Sequence, residues 1–205
     1  MLGVEFNNGL SGEVCGLAEE LKLFGQWSVE GVEVLDEGLK KYITLKPQVV
    51  PHSGGRHEHR RFAKSQLNIA ERLANMLMRP GKNGGKKSKA LAAVRNALWI
   101  IHLRTGRNPL EVLVRAVENS APLEDVTRLS YGGIVYFKAV DISPQRRVDL
   151  ALRNIAQAAR ENSFRTRRTI DETLAEEIIL ASEKDSKSFA VKRKIELERV
   201  ALASR

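Results

Sequence analysis

The sequence predicts a mainly α-helical protein, a bundle of about six helices with one protruding β-hairpin between the third and fourth helices. Apolar residues recur at the spacing of amphipathic helices in six separate segments. One stretch between them loses this period and is rich in β-branched and aromatic residues. The chain has neither internal repeats nor the strand–helix alternation that predicts a parallel sheet.

Capping residues and chain breakers mark where these helices begin and end. Pro80 ends the first helix because proline cannot continue the hydrogen-bond ladder. Asn108 with Pro109 begins the third helix, and a capping box of Thr169 with Glu172 begins the fifth. The six helices are predicted, in chain order, at about residues 65–78, at about 86–105, from Asn108 onward, from Pro144 onward, from Thr169 to near Glu183, and at 186–203.

The predicted hairpin has two β-prone runs, Val126–Leu129 and Ile134–Val140, on either side of Tyr131-Gly132-Gly133. Its aromatic and basic side chains on an extended arm can stack on unpaired bases and neutralise phosphates. The alternative is that Tyr136 and Phe137 fold back against the bundle.

Charge is unevenly distributed along the chain, whose net charge is +9. Residues 51–105 hold twelve basic and two acidic side chains, whereas residues 1–50 hold four basic and eight acidic ones. A one-sided block in a helical segment indicates a folded surface that faces a polyanion, because solubilising surfaces usually mix both signs. The alternative is an ordinary solvated face.

Two regions follow from this composition. Residues 1–50 are expected to form an acidic N-terminal extension that packs on the body, since residues 21–43 carry Phe24, Trp27 and Tyr42. Residues 51–205 are expected to form a helical domain that binds nucleic acid, with the hairpin at about 124–142 and a basic C-terminal helix.

The sequence is unlike that of disulfide-rich, cysteine-rich zinc, secreted or membrane proteins. Its single cysteine, Cys15, is incompatible with a disulfide framework or a cysteine-rich zinc site. Residues 1–14 lack the basic and apolar regions of a signal peptide. The most apolar stretch, Ala97–Leu103, is too short to span a membrane, so we expect neither secretion nor membrane insertion.

Neither a metal site nor catalysis is predicted. His52, His57, Glu58 and His59 are ligand-type residues, but their spacing fits no closed zinc set and neighbouring arginines disfavour a divalent cation. No nucleophile with a histidine partner and no paired carboxylates can be argued from spacing. We therefore expect no cofactor, and a metal-dependent nuclease around His57 and His59 remains a weak alternative.

The segment Gly81–Ser88 resembles a phosphate-binding P-loop only superficially. Lys86 stands where that motif requires glycine, and a helix precedes the segment where a strand is required. Its lysines nevertheless cluster at a helix N-terminus, where free N–H groups and the helix dipole favour anions. A nucleic-acid backbone satisfies both features.

Several stretches in one order resemble the small-subunit ribosomal protein S-seven family, called S-five in eukaryotes. They are LFGQWS (23–28), PHSGGR (51–56), NMLMRPGKNGGKKSKA (75–90), RLSYGGIVYFKAVDISPQRRVDLA (128–151) and FAVKRKIELERVALASR (189–205). The longer Gly-Lys-Asn-Gly loop, the N-terminal extension and the Glu-Leu-Glu-Arg-Val end resemble the eukaryotic cytosolic branch.

The resemblance implies a structural, non-catalytic protein in the head of the small ribosomal subunit. Such a protein binds the 3′ major domain of small-subunit ribosomal RNA, nucleates head assembly, and neighbours other head proteins. Its hairpin and C-terminus face the exit-site transfer RNA and the messenger RNA exit path. The expected location is the cytoplasmic ribosome, with nucleolar passage during assembly, and no membrane or small-molecule substrate is implied.

Residue by residue, the resemblance implies two sets of contacts. Candidates for ribosomal RNA contact are Arg56, Arg60, Arg61, Lys64, Lys82, Lys86, Lys87, Lys89, Arg146 and Arg147. Candidates facing exit-site transfer RNA and messenger RNA are Arg128, Tyr131, Gly132, Gly133, Lys138 and Arg205. The hairpin is less basic than in eukaryotic relatives, so stacking or protein contact is the expected mode at its tip.

A different class of function is a duplex-DNA regulator in which the second and third helices form a helix-turn-helix. The linker Gly106-Arg107-Asn108 permits that arrangement. Glu111 and Glu118 count against it, because the third helix would carry these carboxylates into a phosphate-lined groove.

Overall fold

A computed structural model describes residues 21–81 and 83–205 of the chain. Cys15, Lys82 and the first twenty residues of the acidic extension lie outside the described residues. The described part contains seven α-helices, two 3₁₀ turns and one two-stranded antiparallel sheet. In chain order these are α1 Glu37–Lys40, the 3₁₀ turns Arg56–His59 and Ala63–Gln66, α2 Ile69–Leu77, α3 Lys87–Thr105, α4 Pro109–Ser120, β1 Glu124–Tyr131, β2 Ile134–Asp141, α5 Pro144–Ser163, α6 Ile170–Ser182 and α7 Phe189–Ala203.

The predicted mainly helical fold with one hairpin is confirmed. The Asn108 side chain accepts a hydrogen bond from the Leu110 amide at the start of α4. Both halves of the capping box at Thr169 and Glu172 are formed at the start of α6. Gly106 ends α3 in the left-handed conformation, φ +66°, which glycine adopts without steric cost.

Three elements differ from the prediction, and one of them is the last helix, which begins at Phe189 after a Ser188 cap instead of at residue 186. The first predicted helix begins at Ile69 instead of residue 65, because Asn68 caps it and a 3₁₀ turn occupies the four residues from Ala63. The short helix α1, capped by the Asp36 carboxylate, was not predicted. Four residues are too few to show a helical period.

The core lies where α6 packs against α3, α4, α5 and α7. Its largest fully buried side chains include Leu73, Leu98, Leu113, Leu152 and Leu174, one from each of α2 to α6. Leu23, Trp27, Leu39 and Ile43, from the segment before α2, are buried in the same cluster. The Trp27 ring lies 5.7 Å from the Trp99 ring and 4.9 Å from the His102 ring, centroid to centroid.

The hairpin extends beyond the bundle. Gly132 and Gly133 connect the strands with φ of +57° and +86°, the two positive angles that a type I′ turn requires. Tyr136 and Phe137 are each 54% exposed, so they do not fold back against the bundle. Among residues 21–81 and 83–205, the hairpin is covered at its base, where α7 packs against both strands.

Candidate nucleic-acid interface

The described cations predicted to contact RNA come from three elements. Arg56, Arg60, Arg61 and Lys64 belong to the two 3₁₀ turns and the residues joining them, a segment of residues 51–66 that we call the basic loop. Lys86, Lys87 and Lys89 lie at the N-terminus of α3, and Arg146 and Arg147 lie in the first turn of α5. The remaining candidate, Lys82, lies outside the described residues.

A buried carboxylate joins the basic loop to the bundle. Glu71 on α2 is 2% exposed and accepts hydrogen bonds from the Ser53 amide (2.8 Å), the Ser53 hydroxyl (2.6 Å) and the Lys87 ammonium. Burial by itself raises the pKa of Glu71, but the hydrogen bonds from Lys87 and Ser53 outweigh it, so the pKa lies below its ordinary value. Glu71 therefore stays ionised and fixes the loop against α2 and α3.

The basic loop and the start of α5 enclose a shallow groove of about 470 Å³. We call it the phenylalanine groove, after Phe62 on its wall. Its lining comprises Arg61, Phe62, Lys64, Ser143, Gln145, Arg146, Asp149, Leu150 and Arg153. Four cations and one carboxylate therefore surround it, which is a surface suited to phosphate.

Sequence reasoning missed Arg153 as a member of this groove. A signal was available, since Arg153 follows Arg146 by seven residues and such residues lie on one helix face two turns apart. The role of Asp149 could not be predicted from the sequence, because its partners are 85 and 77 residues away. It accepts hydrogen bonds from Lys64 and from Arg72 (3.0 Å), and so links the basic loop, α2 and α5.

Four of the predicted RNA contacts pair with carboxylates, and two of them, Lys87 and Arg147, are largely buried by the pairing. Lys64 and Arg146 stay 46% and 64% exposed. The Arg147 side chain is 11% exposed, donates to the Asp36 carboxylate (2.9 Å) and to the Pro122 carbonyl (3.2 Å), and so ties α1 to α5. The Lys87 side chain is 17% exposed and is bound to Glu71. Neither side chain is presented at the surface, because each is drawn inward by a carboxylate from a distant part of the chain.

Lys86 and Lys89 are exposed and lie in a second patch. They border a cleft that is also lined by Ser163 and Ile170, which flank the linker between α5 and α6. That linker, Phe164-Arg165-Thr166-Arg167-Arg168, was also missed, although an aromatic residue among three arginines is typical of nucleic-acid contact.

Two of the linker's arginines contact other side chains. The Arg165 guanidinium lies 5.2 Å from the Phe164 ring centroid, and Arg168 is paired with Glu176 at 2.7 Å. The rest of the linker is exposed. An aromatic ring with an arginine over it is thus displayed beside the lysines at the start of α3.

The exit-facing candidates divide between the hairpin tip and its base. At the tip, Tyr131 and Tyr136 lie 6.5 Å apart, and along the arm Arg128 lies 5.6 Å from the Phe137 ring. Lys138 is exposed. Arg205 instead pairs with Glu124 at the base, so its place beside the hairpin is fixed by an ion pair.

The helix-turn-helix alternative is not supported. The second helix of the pair, α4, buries eight residues, among them Val112, Leu113 and Val117. Its polar side chains are occupied within the protein: Glu118 accepts from the Leu35 and Asp36 amides, and Asn119 donates to the Ala181 and Ser182 carbonyls. A helix buried in this way cannot enter a DNA groove.

Neither a metal-binding cluster nor a membrane-spanning helix occurs among the described residues. No three His, Cys, Asp or Glu side chains in this part of the chain come together in a group that could hold a metal ion. His57 instead contacts Glu58 at 3.0 Å. None of the described helices combines the length and the apolar character needed to cross a membrane.

Comparison with known proteins identifies the family. The sequence model of "Ribosomal protein S7p/S5e" matches residues 39–205. Three archaeal proteins named "Small ribosomal subunit protein uS7" are similar over most of the chain. The protein of Methanococcus maripaludis is 52% identical over 187 residues, which are 91% of this chain and all of the relative. That of Methanothrix thermoacetophila is 54% identical over 185 residues, which are 90% of this chain and all of the relative. That of Methanosphaera stadtmanae is 53% identical over 180 residues, which are 88% of this chain and 96% of the relative. The chain therefore belongs to the ribosomal protein S7p/S5e family.

Proposed function

We propose that this chain is a structural constituent of the small ribosomal subunit that binds small-subunit ribosomal RNA and catalyses no reaction. Membership of the S7p/S5e family carries the proposal. The phenylalanine groove and the patch of Lys86 and Lys89 support it, because both present cations that can replace the counterions of an RNA backbone. The bundle behind them is rigidly packed, so the RNA segments that bind are held in one geometry.

The finer proposal is that the chain binds the 3′ major domain, nucleates assembly of the head, and faces the exit-site transfer RNA and messenger RNA. The hairpin supports this role, since it projects exposed aromatic rings and two cations, Arg128 and Lys138, away from the bundle. The domain division also stays a proposal, with an acidic extension over residues 1–50 and an RNA-binding domain over residues 51–205.

The branch of the family and the location in the cell are part of the same proposal. A ribosomal location follows from the family. The eukaryotic cytosolic branch and passage through a nucleolus stay predictions from the resemblance, and the relatives named above, all archaeal, give them no support.

The proposal is tested by sedimentation of the tagged full-length chain from a cell lysate through a sucrose gradient, with and without a high-salt wash. A structural constituent co-migrates with small subunits, whole ribosomes and polysomes, and stays bound after the wash. A protein that remains at the top of the gradient, or leaves the particle in salt, contradicts the proposal.

A pair of charge reversals tests the RNA surface. Lys86→Glu with Lys89→Glu changes two exposed lysines of the RNA patch and is expected to reduce incorporation into subunits. Lys40→Glu with Lys41→Glu is the matched control, because it makes the same change of charge at exposed lysines on the acidic side. Equal incorporation of both variants would show that the RNA surface is misplaced.

A further inference from the structure

We propose that the phenylalanine groove binds an unpaired RNA nucleotide, whose base stacks on Phe62 and whose phosphates are held by the cations around it. This rests on the proposed ribosomal RNA function and deepens it, from contact with an RNA backbone to recognition of a single-stranded position.

The first observation is the display of Phe62. Its side chain is 58% exposed, and its backbone is in the left-handed region, φ +62°, which is unfavourable for a residue with a side chain. The turn that follows fixes this conformation, because the Phe62 carbonyl accepts hydrogen bonds from both the amide (3.1 Å) and the hydroxyl (2.7 Å) of Ser65. The ring is thus held at the surface instead of reaching the core, and is preorganised for a partner.

The second observation is the balance of charge. The Arg61 guanidinium lies over the ring, 4.8 Å from its centroid. Within the described part of the chain, Arg61 and Arg153 have no carboxylate within ion-pair distance. The one carboxylate in the lining, Asp149, is already neutralised by Lys64 and Arg72. The groove therefore carries a net positive charge beside an aromatic surface.

A third observation concerns the wall at the start of α5. Gln145 lines the groove and is 7% exposed, and its side-chain oxygen has no hydrogen-bond partner among the described residues. A buried polar atom without a partner calls for an explanation. The N–H groups of a base edge and the ribose 2′-hydroxyl are donors of the kind that it lacks.

An unpaired nucleotide fits these three features and a duplex does not. In an A-form helix the base faces are stacked on one another, so a protein contacts the phosphates, the 2′-hydroxyls and the groove edges. Only an unstacked base offers a face to a phenylalanine ring, whereas the surrounding cations could serve either form.

The test measures binding of the full-length chain to a short oligouridylate and to a fully paired RNA duplex of the same length, by fluorescence anisotropy at several salt concentrations. Phe62→Leu keeps an apolar side chain but removes the ring, and is expected to weaken oligouridylate binding at least about fivefold without changing the salt dependence. Phe62→Tyr keeps the ring and is expected to bind like the parent. Arg153→Gln is the electrostatic control, expected to make the log–log salt slope about 0.7 less steep.

The outcomes separate this inference from the proposed function. Absence of oligouridylate binding, no effect of Phe62→Leu, or an equal loss on single strand and duplex would each overturn the nucleotide site. The sedimentation experiment above is independent of these results, because incorporation into subunits depends on the whole RNA surface. Failure to sediment with ribosomes would overturn the proposed function instead.

Discussion

The carboxylate of Glu71 is predicted to be the main attachment of the basic loop, and Glu71→Ala tests this. The substitution removes the acceptor for two donors of Ser53 and for Lys87, and leaves an ammonium that is 17% exposed without its partner. Removal of one partner from a buried ion pair costs about 3–5 kcal/mol. For a chain of this length that lowers Tm by about 6–20 °C.

The assay is urea unfolding of the parent, Glu71→Ala and Glu71→Gln. Glutamine keeps the shape and an oxygen that can accept from Ser53, so it is expected to lose only the charged part of the interaction, about 1.5–3 kcal/mol. It is also the variant to use if alanine prevents folding, since 3–5 kcal/mol is a large part of the stability of a typical domain.

The pH dependence of the difference in stability between the parent and Glu71→Gln gives a second measurement. The pKa of Glu71 lies below its ordinary value of 4.5, so its stabilisation is fully present above that pH and is lost as pH falls through the folded-state pKa. The stability gap between the parent and Glu71→Gln should be constant from pH 7 to about 5 and should close in more acidic solution. A gap below about 1 kcal/mol at pH 7, or one that persists in acid, refutes this account of the loop.

Three further outcomes are expected. Arg147→Met should cost about 2–4 kcal/mol in urea unfolding, less than the loss of a fully buried pair because Asp36 is one-third exposed, and it should leave the salt slope of RNA binding unchanged. Arg146→Gln should make the salt slope less steep and leave the stability unchanged. Burial raises the pKa of Glu177, a buried residue of α6, above its ordinary value. The stability of the parent should therefore fall as pH rises through the raised pKa, and Glu177→Gln should remove that slope in pH-dependent unfolding. Gly133→Val places a β-branched residue at φ +86°. It should speed amide hydrogen exchange in the hairpin by about tenfold with little change in Tm, because Tyr131 and Ile134 at the hairpin tip are 68% and 59% exposed.

The parts of the fold that were predictable are those whose cause is local. The cap at Asn108, the capping box at Thr169 and the turn at Gly132-Gly133 each depend on hydrogen bonds or backbone angles within a few residues. The residues within a few positions are therefore sufficient to predict these caps and this turn. The helix α1 has the same kind of cap, but it is too short for its apolar face to show a period.

The parts that were not predictable depend on partners far apart in sequence. Arg147 looked like its neighbour Arg146, yet its guanidinium binds Asp36, 111 residues away. The groove around Phe62 likewise exists only because the basic loop packs against α5. The composition of residues 51–105 indicated a surface that faces a polyanion, but it did not show which of the cations are exposed.

This selection among cations has a quantitative consequence for RNA binding. Ten side chains were predicted to contact RNA, which sets a limiting log–log salt slope of about −7 for single-stranded contacts. Lys87 and Arg147 are held by Glu71 and Asp36, so the predicted cations that remain contribute a slope of at most about −5.6. The carboxylates of Glu71 and Asp36 therefore do not simply dilute the positive charge. They withdraw particular cations into the bundle, and in doing so they fix the positions of those that remain for RNA.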